Sequence, residues 1–296
     1  MTMSCLEKTL APIPAAAGIG LKPQHFDEIL QQRPGIGWFE VHPENYMMDG
    51  GPMLDYLSRI REHYPLSLHS VGMSLGSADG VDLEHISRIK ALAERFQPDI
   101  ISDHLSWCRW QSTSLNDLLP MPYTRKALAI MLGNLAQVQN CLGRTIAIEN
   151  PSSYFNLADA EMSEVEFLVE LARSGGASIL LDVNNVYVSA CNHGWSAQDY
   201  LDAIPAELVS EIHLAGHKVE QVSSGELRID DHGSRVCDEV WDLYRYSIDR
   251  IGARPTLIEW DTDVPEFSVL MEEATTADRF LQTVRSSQSV KLNMAG

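Results

Sequence analysis

The sequence has few basic residues for its length. Lys and Arg number 22 among 296 residues, against 41 Asp and Glu, so the formal net charge is −19 at pH 7. Nonspecific binding to nucleic acid or to an anionic membrane surface needs a basic face, and the chain contains no Lys/Arg cluster of that type. We therefore expect no nucleic-acid partner and no membrane partner. Dense carboxylate suits metal ions or cationic partners instead.

Cysteine is also scarce and shows no pairing pattern. The five cysteines are scattered and form no CxxC motif: Cys5, Cys108, Cys141, Cys191 and Cys237. An odd, dispersed set is typical of free thiols in a reducing compartment. The N-terminal segment lacks the apolar core of a signal peptide, and no run of about eighteen apolar residues predicts a membrane span. We predict a cytoplasmic protein.

Linkers, charge runs, internal repeats and low-complexity tracts are all missing, which favours one domain. Short runs rich in Val, Ile and Leu recur along the chain, separated by longer segments with helical periodicity. These runs predict eight strands: Gly18–Leu21, Trp38–Val41, Leu66–His69, Ile100–His104, Thr145–Glu149, Ser178–Asp182, Glu211–Leu214 and Thr256–Glu259. The predicted helices include Leu83–Phe96, Tyr123–Leu142, Ser163–Arg173, Ser196–Ala203, Val236–Ile251 and Phe267–Thr283.

Eight strands alternating with helices predict an α/β protein with a single (β/α)₈ barrel. Such barrels typically need about 250 residues. We therefore expect an N-terminal arm at 1–17, a metal-binding barrel domain at 18–285 and a C-terminal tail at 286–296. A doubly wound open sheet is the alternative architecture, but no GxGxxG motif follows the first predicted strand.

Six of the eight predicted strands have a histidine or a carboxylate as their last or next-to-last residue: His69, His104, Glu149, Asp182, His213 and Glu259. A parallel barrel brings these strand ends to one rim, where barrel enzymes carry their sites. One such residue alone is more often structural, and an acid after a strand often caps the next helix. Six together would be costly to bury without cations. Imidazole and carboxylate are suitable metal ligands, so we predict a metal site.

Further candidate ligands lie in the loops. Asp230 and His232 are two residues apart and share a face in extended backbone, and Asn185 follows Asp182 by three residues at a strand-to-loop turn. His217 is either a ligand, a residue behind the ligands or part of the loop surface. The candidates are too many for one ion, which predicts two or three ions. Because none is a cysteine, a structural zinc site of the thiolate type is disfavoured.

Other polar residues lie just beyond strand ends. Glu44 and Asn45 follow the second strand, and Asn150 is adjacent to Glu149. We expect these side chains, with His217, to contact substrate or to support the ligands. Capping of their own loops explains Glu44, Asn45 and Asn150 equally well.

Beyond these individual residues, the chain resembles the domain of unknown function 692 family of multinuclear non-heme iron-dependent oxidases, typified by the methanobactin biosynthesis enzyme. The resemblance runs from Gly18 to about Phe280. It is carried, in this order, by the segments FEVHPENY, LSLHSVGMSL, ISDHLSW, IAIENPSSY, LLDVNNVYVSACNHG, EIHLAGH, IDDHG and LIEWD.

The resemblance implies a barrel holding two or three iron ions that cycle between Fe²⁺ and Fe³⁺. It implies a dioxygen-using oxidase that modifies a residue, cysteine in the first place, of a ribosomally made precursor peptide. It also implies a small partner protein encoded nearby. No catalytic residue beyond the metal ligands is predicted, and the sequence leaves the peptide, its product and the oligomeric state open.

The ligand pattern is also similar to that of the trinuclear zinc endonuclease that cleaves abasic DNA, endonuclease IV, which shares the barrel type of xylose isomerase. That comparison aligns the following residues with metal positions: His69, His104, Glu149, Asp182, His213, Asp230, His232 and Glu259. Asn185 departs from the nuclease pattern, which has histidine there. A carboxamide is a weaker, neutral ligand, so whether Asn185 or His217 binds metal directly is left open.

Two other functions fit the same barrel. A zinc or manganese phosphodiesterase would act on a polyanion, which the net charge of −19 repels. A sugar isomerase or epimerase needs only one or two divalent ions, fewer than the candidate ligands allow. We therefore prefer the iron oxidase.

Overall fold

Eight parallel strands form a closed barrel in the computed structural model, which describes residues 12–111, 113–223 and 225–295, with side chains to residue 287. Each strand pairs with its neighbour in the chain, and the first pairs with the last. The barrel strands are Ala17–Gly20 (β1), Trp38–Val41 (β2), Leu66–His69 (β3), Ile100–His104 (β4), Ala147–Glu149 (β5), Ser178–Asp182 (β6), Val209–Ala215 (β7) and Thr256–Glu259 (β8).

The predicted (β/α)₈ barrel is therefore confirmed, and each predicted strand has a counterpart. β2, β3, β4, β6 and β8 have the predicted bounds. β1 is shifted by one residue toward the N-terminus, β5 begins two residues later than predicted, and β7 is longer at both ends. Most of the predicted arm lies at residues 1–11, outside the described residues.

Helices surround the barrel. They are Phe26–Gln32 (α1), Pro52–Arg61 (α2), Leu83–Phe96 (α3), Arg125–Leu142 (α4), Glu164–Gly175 (α5), Val183–His193 (α6), Ala197–Ala203 (α7), Asp238–Ile251 (α8) and Phe267–Ala295 (α9). The Asp82 side chain caps α3, and Ser163 with Glu166 forms a capping box at α5. The predicted end of the last helix at Thr283 is wrong, because no glycine or proline interrupts α9 before Ala295.

Three elements depart from the predicted loops. Residues after β6, expected as a strand-to-loop turn, form α6, because the Asp182 side chain accepts a hydrogen bond from the Asn185 backbone N–H at 2.6 Å and caps the helix. Two antiparallel hairpins follow β4 and β7. Their strands are Trp107–Trp110 with Thr113–Leu119, and Lys218–Val222 with Gly225–Ile229. Their mostly exposed residues carry no continuous apolar run that would predict a strand.

Apolar side chains of the helices pack on the outside of the barrel, as Ile86 and Ile89 of α3 do. The barrel interior is different because it contains many buried polar side chains. Those from the strands are Glu40, Ser67, His69, Ser102, His104, Glu149, Asp182, Glu211, His213 and Glu259. Buried ionisable groups persist only where they are paired or bind a cation. The interior is therefore the candidate position of a functional site.

Two further expectations concern the state of the cysteines and the absence of a membrane span. Cys108, Cys141, Cys191 and Cys237 are free thiols, while Cys5 lies outside the described residues. Within the described part of the chain, no helix is both long and apolar enough to cross a bilayer.

Candidate metal centre

The tightest part of the centre lies where β3, β4 and β5 end side by side. His69 Nε2 is 3.0 Å from Glu149 Oε2, His104 Nε2 is 3.3 Å from the same oxygen, and the two nitrogens are 3.2 Å apart. Ligand atoms bound at about 2.1 Å to one ion, at angles of 90° to 109°, lie about 3.0 to 3.4 Å apart. The three atoms therefore fit one ion. We call these residues the strand corner.

A second group shares Glu149 with the strand corner. Single ligand atoms of Glu149, Asp182, His213 and Glu259 all lie within 4.8 Å of one another, and all four residues are buried. His213 Nδ1 is 3.2 Å from Glu259 Oε2. Asp182 has two roles, because Oδ1 caps α6 while Oδ2 is buried without a hydrogen-bond partner. Glu149, which belongs to both groups, is suited to bridge two ions.

The third part of the centre is carried by two loops. Asp230 and His232 lie after the second hairpin, and Asp261 lies just after β8. We call these three residues the loop side. His232 Nε2 is 2.7 Å from Asp230 Oδ1, and His232 Nδ1 is 3.1 Å from Asp261 Oδ2. His232 Nδ1 is also 3.6 Å from Glu259 Oε2, which connects the loop side to the second group. His232 has a positive φ of 47°, in the left-handed region.

The charges of the centre perturb one another strongly. Burial would lower the pKa of His104, but the carboxylates of Glu149 and Asp103 outweigh burial and raise it to about 9. Burial and the Glu149 carboxylate raise the pKa of Asp182 well above its ordinary value. Carboxylates likewise raise the pKa of His213 and His232 against the effect of burial. Such a site holds protons that a metal ion would displace.

The donor set suits a metal ion and argues for its class. Imidazole nitrogens and carboxylate oxygens, without thiolate, suit iron, manganese or catalytic zinc. Several of these donors are buried without a hydrogen-bond partner in the described structure: Glu149 Oε2, Asp182 Oδ2, Asn185 Oδ1 and His232 Nε2. Unpartnered buried polar atoms are rare, and bound cations would satisfy most of these. The identity of the ion is not given by the geometry.

Asn185 and His217 occupy different positions. The Asn185 amide donates to Glu149 Oε1 at 3.3 Å, and its own Oδ1 is buried without a partner beside the centre. His217 contacts Asn184, whose amide in turn donates to Asp230 Oδ1 at 2.7 Å. Asn185 therefore lies among the candidate ligands. His217 does not, because Asn184 lies between its ring and Asp230.

The residues predicted to contact substrate or to support the ligands are also separated. The Asn150 amide bonds the backbone N–H and carbonyl of Asp182, both at 2.9 Å, so it joins the ends of β5 and β6. Glu44 accepts from the hydroxyl of Ser70 at 2.7 Å and lines a neighbouring cavity, and Asn45 lines another. Of these three residues, Asn150 alone supports a predicted ligand.

Four residues of the centre were not predicted. His42 lies with Glu259 and Asp261 in one group of potential ligands. Glu40 and Glu211 lie near the other nitrogen of His213. Glu211 carries a signal that could have been used, since it precedes His213 by two residues and therefore faces the same side of β7. Asp261 follows a strand end by two residues, which is a weak signal.

An open cavity of about 410 Å³ gives access to the centre. One wall is formed by the ligands, including His69, His104 and His232. Leu118 of the first hairpin and Phe155 of the loop after β5 also line the cavity. Phe155 is 55% exposed, so an apolar surface borders a polar metal centre.

Comparison with known proteins agrees with this architecture. The sequence profile of the family described as RiPP precursor modification enzyme MbnB/TglH/ChrH, where RiPP denotes a ribosomally made and modified peptide, matches residues 16–282. A UPF0276 protein of Caulobacter sp. strain K31 is 48% identical over 272 residues, covering 92% of this chain and 98% of its own. Another, from Psychromonas ingrahamii, is 45% identical over 271 residues, covering 91% and 95%.

Solved structures resemble the chain in fold. A xylose isomerase-like TIM-barrel protein from Mycobacterium smegmatis, in complex with magnesium, has a TM-score of 0.58 at 10% identity, covering 92% of this chain and 97% of its own. The IOLI protein with a bound zinc atom has a TM-score of 0.56 at 14% identity, covering 92% and 98%. At this identity the likeness concerns the fold alone, and the predicted xylose isomerase-like barrel is confirmed.

Proposed function

The chain belongs to the MbnB/TglH/ChrH family of RiPP precursor modification enzymes, and from this premise we propose that it is a multinuclear iron-dependent, dioxygen-using oxidase. Its family implies a ribosomally made precursor peptide as substrate. We propose that the modified residue is a cysteine of that peptide. We further propose that a small partner protein encoded near its gene presents the peptide.

One observation supports the multinuclear centre above all others. Glu149 belongs both to the strand corner and to the group of Asp182, His213 and Glu259. The loop side extends this connected set, so two or three ions have donors. We propose nine ligands: His69, His104, Glu149, Asp182, Asn185, His213, Asp230, His232 and Glu259. Bound iron would supply redox chemistry and a site for dioxygen, which zinc cannot.

The residues of the chain have separate tasks in this proposal. The buried strand corner fixes one ion, and the Asn150 amide holds the backbone that carries Asp182. The cavity admits one side chain of a peptide between the ligands and the wall of Leu118 and Phe155. These apolar residues exclude water on the side away from the ligands.

Metal analysis tests the proposal most directly. Protein purified anaerobically from iron-replete cells should contain two or three irons per chain, partly ferrous, by elemental mass spectrometry and Mössbauer spectroscopy. Stoichiometric zinc, with no gain of oxygen consumption after iron reconstitution, would overturn the oxidase and favour a hydrolase.

Peptide modification is the second test. The chain and the nearby partner should be co-expressed with short cysteine-bearing peptides encoded beside the gene, and peptide masses compared in air and without oxygen. We expect an oxygen-dependent mass change on a cysteine. The Glu149→Gln variant is the matched control, since it keeps the shape of the shared ligand but not its charge.

A further inference from the structure

A second pair of carboxylates lies inside the barrel, around the nitrogen of His213 that faces away from Glu259. Glu40 on β2 and Glu211 on β7 are 3% and 0% exposed. His213 Nε2 lies 3.4 Å from Glu40 Oε1 and 3.7 Å from Glu211 Oε1. In the described structure His213 Nε2 and three of the four carboxylate oxygens are buried without a hydrogen-bond partner, the oxygens being Glu40 Oε2, Glu211 Oε1 and Glu211 Oε2.

Burial of Glu40 and Glu211 lowers the stability of the fold. Buried carboxylates cost free energy unless they are paired and hydrogen-bonded. Barrel interiors are ordinarily filled by Val, Ile and Leu. A stable barrel therefore has no need of Glu40 and Glu211, and their position around one nitrogen of a candidate ligand indicates a role at the metal centre.

The His213 ring connects the pair to that centre. Nδ1 faces Glu259 at 3.2 Å, while Nε2 faces Glu40. A neutral imidazole that binds a metal through one nitrogen carries its hydrogen on the other, and the partner of that hydrogen sets the orientation and basicity of the ring. Glu40 reaches Nε2 from the opposite side of the barrel, because β2 and β7 are not neighbours.

His69 provides an internal comparison. Its Nε2 faces the centre, and its Nδ1 is 2.8 Å from the hydroxyl of Ser102, a neutral group. His213 has the reverse orientation, with Nδ1 toward the centre and a carboxylate behind the ring. A charged acceptor makes a stronger hydrogen bond than a hydroxyl. The Glu40 carboxylate lies 3.4 Å from Nε2 with no hydrogen bond formed, and a small closure of that distance would hold the His213 ring more firmly than Ser102 holds His69.

We propose that Glu40, supported by Glu211, is a positioning residue that keeps the hydrogen of His213 on Nε2 and so directs the Nδ1 lone pair to the metal centre. The proposal rests on the proposed function only in taking His213 as a ligand. It requires neither iron nor dioxygen. Zinc can therefore serve as the probe, and failure of this proposal is distinguishable from failure of the oxidase.

The tautomer of His213 is the direct readout. Long-range ¹H–¹⁵N spectra of zinc-loaded, ¹⁵N-histidine-labelled protein should show one ring that is bound through Nδ1 and protonated on Nε2. In Glu40→Gln, which keeps the volume of the side chain, this ring should change its pattern while the rings bound through Nε2 keep theirs. A His213 ring protonated on Nδ1 in the wild type would overturn the proposal.

Zinc affinity is the second readout, measured by chelator competition. Loss of a residue behind a ligand typically weakens metal binding about 10- to 100-fold. We expect about tenfold for Glu40→Gln and up to about 100-fold for Glu40→Ala, confined to one ion of the set. Glu273→Gln is the control, since Glu273 is a buried carboxylate bound to Arg235. Its zinc affinities should equal those of the wild type.

Three results would contradict the role of Glu40. Equal affinity losses in the Glu40 and Glu273 variants would indicate a general effect of losing a buried acid. Wild-type affinities and spectra in Glu40→Ala would show that His213 needs no partner. Loss of an additional tightly bound ion, with the His213 pattern unchanged, would indicate that Glu40 and Glu211 are themselves metal ligands.

Discussion

The strand corner and the loop side are built from the same residue types but are supported differently. His69 and Glu149 are 1% and 2% exposed at their side chains and stand at the ends of hydrogen-bonded barrel strands. Asp230 and His232 are 12% and 13% exposed and stand on a loop. The loop is tied to the barrel by the backbone N–H of Asp261, which donates to the His232 carbonyl at 2.9 Å.

The difference in support between strand and loop ligands predicts a difference in the free energy of metal binding. Ligands on strands are ordered before an ion arrives, so little conformational entropy is lost on binding. Ligands on a loop must be ordered during binding, and a water molecule can replace a partly exposed ligand more readily. We therefore expect the strand corner to fix its ion tightly and the loop side to hold an ion that exchanges or keeps an open position.

Replacement of Glu149 should have the largest effect on metal binding, because Glu149 belongs to two groups of candidate ligands. The Glu149→Gln variant loses the charged oxygen that lies 3.0 Å from His69 Nε2 and that is shared with the second group. We expect the affinity for at least two ions to fall more than about 100-fold, beyond the usual cost of a supporting residue. Elemental analysis after dialysis against chelator measures the loss. Retention of two or more ions would contradict the shared carboxylate.

The His69→Ala and His232→Ala variants compare the two sides directly. We expect the affinity for one ion to fall about 100-fold or more in His69→Ala, at least the largest loss typical of a residue behind a ligand. In His232→Ala we expect only about a tenfold loss, because water can replace a partly exposed ligand. Stepwise chelator competition with zinc measures both. Equal losses would mean that the loop is as well ordered as the strands.

The metal affinity of the strand corner should depend on pH. The pKa of His104 is raised to about 9, so without an ion the ring is protonated at pH 7 and must lose its proton to bind. Affinity at the strand corner should therefore rise about tenfold per pH unit from pH 7 to 9 and level off above. The His232→Ala variant removes the loop-side imidazole, so the pH dependence that remains belongs to the strand corner and to the group of Asp182, His213 and Glu259. Affinity that is flat between pH 7 and 9 would contradict this.

The contrast between strand ends and loops also explains which residues of the centre could be predicted from the sequence. The convergence of the strand-end histidines and carboxylates could be predicted, because a buried strand of β-type residues leads to each of them and the barrel brings all strand ends together. Asp182, for example, was predicted both as a ligand and as a possible cap, and it caps α6 with one oxygen while the other faces the centre.

Residues that depend on contacts across the barrel could not be predicted in the same way. Glu40 lies within β2, and its meaning appears only when β7 brings His213 opposite to it. The hairpins were missed because their strands are largely exposed, and exposed strands lack the apolar pattern that identifies a buried one. The side chain of Asp261 reaches the centre through a loop path that no strand pattern encodes.

Ser102→Ala should have the smallest effect, and it tests whether the firmness of the strand corner comes from the residues behind its ligands. The Ser102 hydroxyl is 2.8 Å from His69 Nδ1 and is buried on the neighbouring strand β4. Its loss should weaken the corner ion by about tenfold or less, at the lower end for supporting residues, because a hydroxyl is a neutral partner.

The matched control for this last prediction is Ser67→Ala. Ser67 is equally buried, on the adjacent strand β3, but its hydroxyl has no hydrogen-bond partner in the described structure. The control should leave zinc affinity unchanged, and the loss in Ser102→Ala should be confined to the strand corner. If both variants lose affinity equally, the corner owes its order to packing of the strands and not to the hydrogen bond behind His69. A loss in Ser102→Ala alone would assign that order to the bond.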